Sequence, residues 1–160
     1  MSNVPPSPNP SPQGKPVFSD LSRDECERIL ARNHVGRLAF SFRDRVDIEP
    51  IHYVYSSQWI YGRTSPGAKL TTLAHHRWVA FEVDEVQSIF HWQSVVVHGA
   101  FYIVEPDTAN KRNSVFLQAI DLLRTLIPET LTGDDPTSFR DVLFRIHLDE
   151  VHGRKARHPS

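Results

Sequence analysis

The feature that most constrains this chain is how little sequence separates its first alternating runs. Residues 35–42, VGRLAFSF, alternate Val35, Arg37, Ala39 and Ser41 with Gly36, Leu38, Phe40 and Phe42, the pattern of a strand with one apolar face. Only Arg43 to Arg45 intervene before VDIEPIHYVY, residues 46–55, and only Ser56-Ser57 before a third run, Gln58 to Arg63. A parallel crossover needs a dozen or more residues, so connections this short make neighbouring strands antiparallel. The chain opens as a meander, with Pro50 marking a bulge or an edge position because it cannot donate to a ladder.

Three more strands follow. In RWVAFEVDE, residues 77–85, Trp78, Ala80, Glu82 and Asp84 alternate with Val79, Phe81 and Val83. HWQSVVVHGAFYIVE, residues 91–105, is the longest, and Gly99 near its middle suggests a bend at a barrel corner. Residues 142–151, VLFRIHLDEV, give the sixth. Helical spacing occurs three times. Ser22 and Glu25 have capping-box spacing ahead of an apolar face of Cys26, Ile29 and Leu30. Pro66 to His75 turns Leu70 and Leu73 inward. Residues 107–127 carry Val115, Leu117, Ile120, Leu123 and Ile127 as anchors, and Pro128 ends the run. The expected fold is mainly β with α (α+β), a closed six-stranded antiparallel β-barrel with helices outside it.

A length of 160 residues suits one domain. Residues 1–19 read as a disordered Pro/Ser-rich tail, 20–154 as the folded domain, and 155–160 as a frayed basic tail. A net charge of −1 gives no electrostatic reason to expect nucleic acid, and no apolar run approaches the length that spans a bilayer. The N-terminus has no secretory pattern, and the single cysteine, Cys26, excludes an internal disulfide, so a cytoplasmic location is expected.

Any anion site must therefore be local, and WIYGRTSPGAKLTTL, residues 59–73, supplies one. Ser65 is the expected N-cap and Pro66 the first helical residue. The free N–H groups of Gly67 and Ala68 then lie at the positive end of the helix dipole. Arg63, Thr64, Ser65 and Lys69 surround that point with two cations and two hydroxyls, which is chemistry for a phosphate. Other site chemistries lack their motifs. There is no Walker loop, no HExxH, no CxxC and no GxSxG, and the adjacent His75 and His76 project about 100° apart on a helix. No metal site is expected. His52 and His98 could approach one another inside a barrel, but no third ligand accompanies them.

The order of these pieces resembles the flavin-binding split barrels of the pyridoxamine 5′-phosphate oxidase-like superfamily, and within it the nitroimidazole-resistance (NimA-like) flavoproteins. The resemblance covers residues 20 to 154. VGRLAF after an opening helix, PIHYVY, IYGRTSPGAKL into a helix, HHRWVAFEVDE, WQSVVVHGAF and the late DEVHGRK carry it. It implies FMN at a homodimer interface, with a deazaflavin or haem as alternative ligands. Lys69 matches the phosphate-binding lysine, with Arg63, Thr64 and Ser65 in the loop before it. Pro50, Ile51, His52 and Tyr53 match the strand whose backbone lines the isoalloxazine, and Trp92, Gln93 and Ser94 the strand that contacts FMN from the other side.

Relatives often carry a basic residue before the lysine. Here it is Ala68, so Arg63 is expected to supply the second cation. The chain ends in KARHPS without the extension that binds vitamin B6 substrates, so that oxidation is not expected. The implied function is an FMN-dependent oxidoreductase that passes electrons from a small donor such as NAD(P)H to a small acceptor such as a nitroaromatic or quinone. A non-catalytic flavin- or haem-binding module is the alternative. No side chain is fixed as a general acid or base, although His52, Tyr53 and His98 are candidates. Exposed aromatics Tyr53, Tyr55 and Trp92 would form the apolar patch that a second copy covers.

Overall fold

The computed structural model describes residues 14–106 and 114–159. The chain runs β1 (Val17–Leu21), α1 (Arg23–Arg32), β2 (Val35–Phe42), β3 (Arg45–Ser56), β4 (Trp59–Thr64), α2 (Ala68–His75), β5 (Trp78–Ser88), β6 (His91–Val104), α3 (Val115–Leu123), β7 (Val142–His147) and β8 (Glu150–Arg157). All pairings are antiparallel. The order β6-β5-β2-β3-β4-β7 closes on itself through β7–β6, giving the expected six-stranded α+β barrel. The early meander is present, with the β2–β3 and β3–β4 turns carried by positive-φ pairs Arg43–Asp44 and Ser57–Gln58.

Two strands lie outside the expected set. β8 leaves the ring along the first half of β6, and β1 pairs with β8 from Val17↔Arg157 to Leu21↔Gly153. The run read as one strand over 142–151 breaks at Leu148–Asp149, where the chain turns from β7 to β8. Residues 17–19 and 155–157 therefore belong to a sheet, not to a disordered tail and a frayed end. Their polar sequences conceal this because each strand borrows its apolar contacts from elements remote in sequence. The third helix spans Val115–Leu123; the expected start over 107–113 lies outside the described residues.

Two long strands each serve two partners, and this splits the barrel. β6 pairs with β8 from Trp92 to His98 and with β7 from Phe101 to Val104. Gly99 lies at the change, where a Cβ would stand 1.8 Å from the carbonyl oxygen of His147. β3 pairs with β2 from Arg45 to His52, but β4 joins it only from Tyr53 onward. Pro50 accordingly sits where β3 has a neighbour on one side only, the edge position its missing N–H demands.

The barrel interior is filled by Leu38, Phe40, Ile51, Tyr53, Ile60, Val79, Phe81, Val83, Val95, Val97, Phe101, Phe144 and Ile146. α1 closes one side with Cys26, Ile29 and Leu30, its N-terminus capped by Ser22 Oγ accepting from the Glu25 N–H at 3.1 Å. α3 covers Val54, Tyr61, Val104 and Leu143 with Ala119, Ile120 and Leu123. Among the described residues no helix is long and apolar enough to cross a membrane.

Candidate site at the split between β3 and β4

β4 continues to Thr64, but its last two residues have no partner on β3. The gap between them is a cavity of about 240 Å³ lined by Glu49, Pro50 and Ile51 of β3, Arg63, Thr64 and Ser65, Lys69 of α2, and Phe139 and Arg140. Six residues that the sequence assigned to a phosphate-bearing ligand thus border one space: Pro50, Ile51, Arg63, Thr64, Ser65 and Lys69. A larger cavity of about 590 Å³ lies between the β2–β3 turn and the later part of α2. Its lining of Ser41, Thr71, Thr72, Arg43, Asp44, His75 and His76 includes none of the residues that the sequence assigned to the ligand.

The helix start differs from expectation. α2 begins at Ala68 with Gly67 as N-cap, no side chain caps it, and the Leu70 N–H bonds to the Gly67 carbonyl. Ser65 is therefore free of the capping role and stands at the cavity edge. The unpaired N–H groups of the first turn still mark the positive end of the helix dipole.

Arg63 does not serve as a free cation. Its side chain is only 6% exposed and chelates Asp135, with Nη2 to Oδ2 at 2.5 Å and Nη1 to Oδ1 at 3.3 Å. Nε donates to the Arg140 carbonyl at 2.7 Å and Nη2 to that of Thr137 at 3.2 Å. Asp135 also accepts from the N–H groups of Leu131 and Thr137, and the Arg63 hydrogen bonds hold its carboxyl well below the usual carboxylate range. A buried guanidinium needs such a partner, because an unpaired one would carry its full desolvation penalty. The pairing crosses 72 residues of sequence and leaves no local signal.

The consequence is a cation that sequence reasoning missed. The network fastens the 131–140 loop to β4 and brings Arg140 to the cavity, its guanidinium 5.5 Å over the Phe139 ring. Among the described residues Arg140 has no ion pair. Lys69 does have one: its Nζ lies 2.5 and 2.6 Å from the two Glu49 carboxylate oxygens.

Alternation separates the remaining predicted residues. Pro50 and His52 point to the outer face of β3, while Ile51 and Tyr53 are buried inside. The Tyr53 hydroxyl donates to the Leu30 carbonyl at 2.7 Å and burial raises its pKa, so it is a structural group. Tyr55 is half-buried and donates to Glu27. On β6, Trp92 and Ser94 face outward, but Gln93 turns in and donates to Glu85 at 3.1 Å. Glu85 is kept ionised, with a pKa of about 2, by the hydrogen bonds of Arg32 and then of Asn33 and Gln93. β2 and β5 separate β3 from β6, so these two outer sets stand about 14 Å apart in one chain. His52 and His98 likewise sit on the outer face, on β3 and β6, and do not meet inside the barrel. Among the described residues the buried Nδ1 of His98 has no hydrogen-bond partner.

Half of that outer face is apolar, and the other half carries Arg37 paired with Glu82 and Asp84. Cross-strand pairing places Ile48 beside Ala39, Ala39 beside Ala80 and Ala80 beside His98, and Val46, Val35 and Trp78 lie on the same surface. Val46 is 81% exposed, Ile48 65%, Trp78 56% and Val35 49%. The patch thus replaces the expected one of Tyr53 and Tyr55.

Known proteins show the same architecture. An uncharacterised protein of Rhizobium meliloti is 33% identical over 147 residues, covering 85% of this chain and 93% of that one. An FAD-binding protein from Mesorhizobium loti superposes with a TM-score of 0.71 at 29% identity, covering 89% of this chain and 99% of the other. A candidate 5-nitroimidazole antibiotic resistance protein from Bacteroides thetaiotaomicron, 16% identical, shares the fold with a TM-score of 0.64 over 90% of each chain. The family model described as pyridoxamine 5′-phosphate oxidase matches residues 22–155, from the cap of α1 into β8. The chain belongs to the pyridoxamine 5′-phosphate oxidase family.

Proposed function

We propose that the protein is a flavin-dependent oxidoreductase of the cytoplasm that works as a homodimer. The observation that carries this reading is the cavity at the β3–β4 split, where Lys69, Arg140, two hydroxyls and the start of α2 converge beside an apolar strand. A phosphate needs such charge-assisted donors, and a flat heteroaromatic ring needs an apolar surface with a few edge hydrogen bonds. The FAD-binding relative from Mesorhizobium loti supports the same ligand class.

In this reading Lys69, Thr64, Ser65 and the first N–H groups of α2 hold the flavin phosphate. The backbone of Pro50 to Tyr53 lines one side of the ring, with the His52 side chain at its outer edge. A second copy packed on the apolar sheet face brings its own Trp92 and Ser94 outward toward the ring, which one chain alone holds too far away; Gln93 contributes through its backbone. A bound flavin supplies hydride transfer at N5, so the protein's task is to bind, orient and exclude water. The donor is NAD(P)H and the acceptor a small nitroaromatic or quinone.

Purified protein should be yellow and should oxidise NADPH faster when a nitroaromatic is added. Replacing Lys69 with Ala should weaken FMN and FAD by about tenfold and leave riboflavin nearly unchanged. A colourless protein that takes up none of the three flavins would end this proposal.

A further inference from the structure

The start of β4 carries an arrangement that the flavin reading leaves unused. Pairing sets Tyr61, Arg145 and Tyr102 side by side across β4, β7 and β6, and Trp59 faces His147 two residues along. The Arg145 guanidinium lies 3.6 Å from the centre of the Trp59 ring. Tyr102 and His147 meet the same ring edge-on, with centroids 5.9 and 4.7 Å away, and Asp149 fixes His147 through a 2.8 Å contact with its Nδ1. Arg145 is half-buried, yet among the described residues none of its N–H groups has an acceptor and no carboxylate pairs with it. Arg63, two residues from Tyr61 on the neighbouring strand, is by contrast wholly committed to Asp135 and two carbonyls.

A guanidinium held flat against an indole has already lost most of its rotamer freedom. An anion that meets its edge gains a two-pronged contact at little further ordering cost. Arg145 borders a cavity of about 330 Å³ whose lining includes Trp59, Tyr102, Val104, Val115 and the carboxylate of Glu105. That volume is at the low end for ligand pockets, which suits one or two fused rings. The other nearby cation, Arg77, lies 5.6 Å over Tyr102, but it lines a separate cavity of about 220 Å³ and donates to the Ala74 carbonyl. The Arg145 cavity shares no lining residue with the one at the β3–β4 split. Trp59 opens β4 and Thr64 closes it, about 16 Å away at the rise of a strand.

We propose that this cavity is a second binding site, for a small flat aromatic carboxylate with a hydrogen-bond donor on its ring. The carboxylate engages the N–H edge of Arg145, the ring packs on Tyr102, Val104 and Val115, and Glu105 accepts from the ring donor. Glu105 also limits the class, because it repels a ligand with a second carboxylate. The site does not depend on the flavin reading.

Titration calorimetry of the purified protein, with whatever cofactor it carries, tests this with four probes: indole-3-acetate, indole-3-acetamide, hexanoate and 1-methylindole-3-acetate. Indole-3-acetate should bind about tenfold more tightly than the amide, which keeps the ring but not the charge, and than hexanoate, which keeps the charge but not the ring. Methylation of the ring nitrogen should weaken binding about fivefold, and Glu105→Ala should erase that difference. Arg145→Gln should erase the preference for the acid over the amide. Lys69→Ala, at the other cavity, should bind indole-3-acetate as the parent does. If Arg145→Gln does not fold, the acid–amide comparison in the parent and the exposed Glu105→Ala variant decide. Equal affinity for acid and amide, no binding of either, an acid preference unmoved in Arg145→Gln, or binding lost in Lys69→Ala would overturn the proposal. The flavin reading stands or falls separately, on flavin uptake.

Discussion

Arg63 shows how one side chain can do work that its sequence neighbours do not announce. In a Tyr-Gly-Arg-Thr-Ser loop beside a helix start it reads as a ligand-facing cation, yet it is spent on Asp135 and the loop carbonyls. Replacing Asp135 with Asn should strand a buried guanidinium and destabilise the fold by about 3–5 kcal/mol in urea unfolding. The same pair sets an acid limit. Because the folded carboxyl titrates below its ordinary value of 3.8, its stabilisation is fully present above that value and is lost as the pH falls below it. Unfolding free energy measured from pH 5 down to pH 2 should fall less steeply in Asp135→Asn than in the parent. Lys69 and the hydroxyls Thr64 and Ser65 were legible because they lie within a few residues of a Pro-Gly helix start. Arg140 was not, since only tertiary packing brings it there.

Strand identity was readable wherever apolar alternation was strong, as in β2, β3, β5 and β6. It was unreadable in β1 and β8, whose inward positions are few. One of them, Gly153, would put a Cβ 2.4 Å from the Cys26 sulfur of α1, so small size rather than hydrophobicity is what packing selects there. Gly99 was readable for the related reason that a glycine inside a strand signals close backbone approach. Alanine at 99 would collide with the His147 carbonyl, a backbone group that cannot swing aside, and should cost about 3 kcal/mol or more. Chemical denaturation would measure it. By contrast Ser22→Ala removes one cap hydrogen bond from α1 and should cost about 1 kcal/mol in the same assay. The Ser65 cap failed for an equally local reason: α2 starts at Ala68, out of that hydroxyl's reach as a cap.

On the scale of the whole molecule, short turns make the β2–β3–β4 meander, but closure of the ring rests on β7, which returns after α3 to pair with both β4 and β6, and the split follows from long strands that change partners. The split produces the cavity, and the outer sheet face beside it exposes Val46, Ile48 and Trp78. If a second copy covers that face, Val46→Glu with Ile48→Glu should give a monomer in sedimentation and weaken flavin binding together, because each ring then loses its far wall. A variant that stays dimeric would place the contact elsewhere.

The pairing of β1 with β8 also has a bearing on time. It joins Val17 to Arg157 across nearly the whole folded chain, the kind of non-local contact whose loop entropy must be overcome before anything is gained. During synthesis β1 emerges ahead of the other described strands and among them pairs only with β8, while the edge of β6 from Trp92 to His98 waits for the same strand. The sheet is therefore finished only when β8 has followed β6 and β7 out of the ribosome, and until then a nascent chain carries two unpaired edges that a neighbouring copy could occupy wrongly.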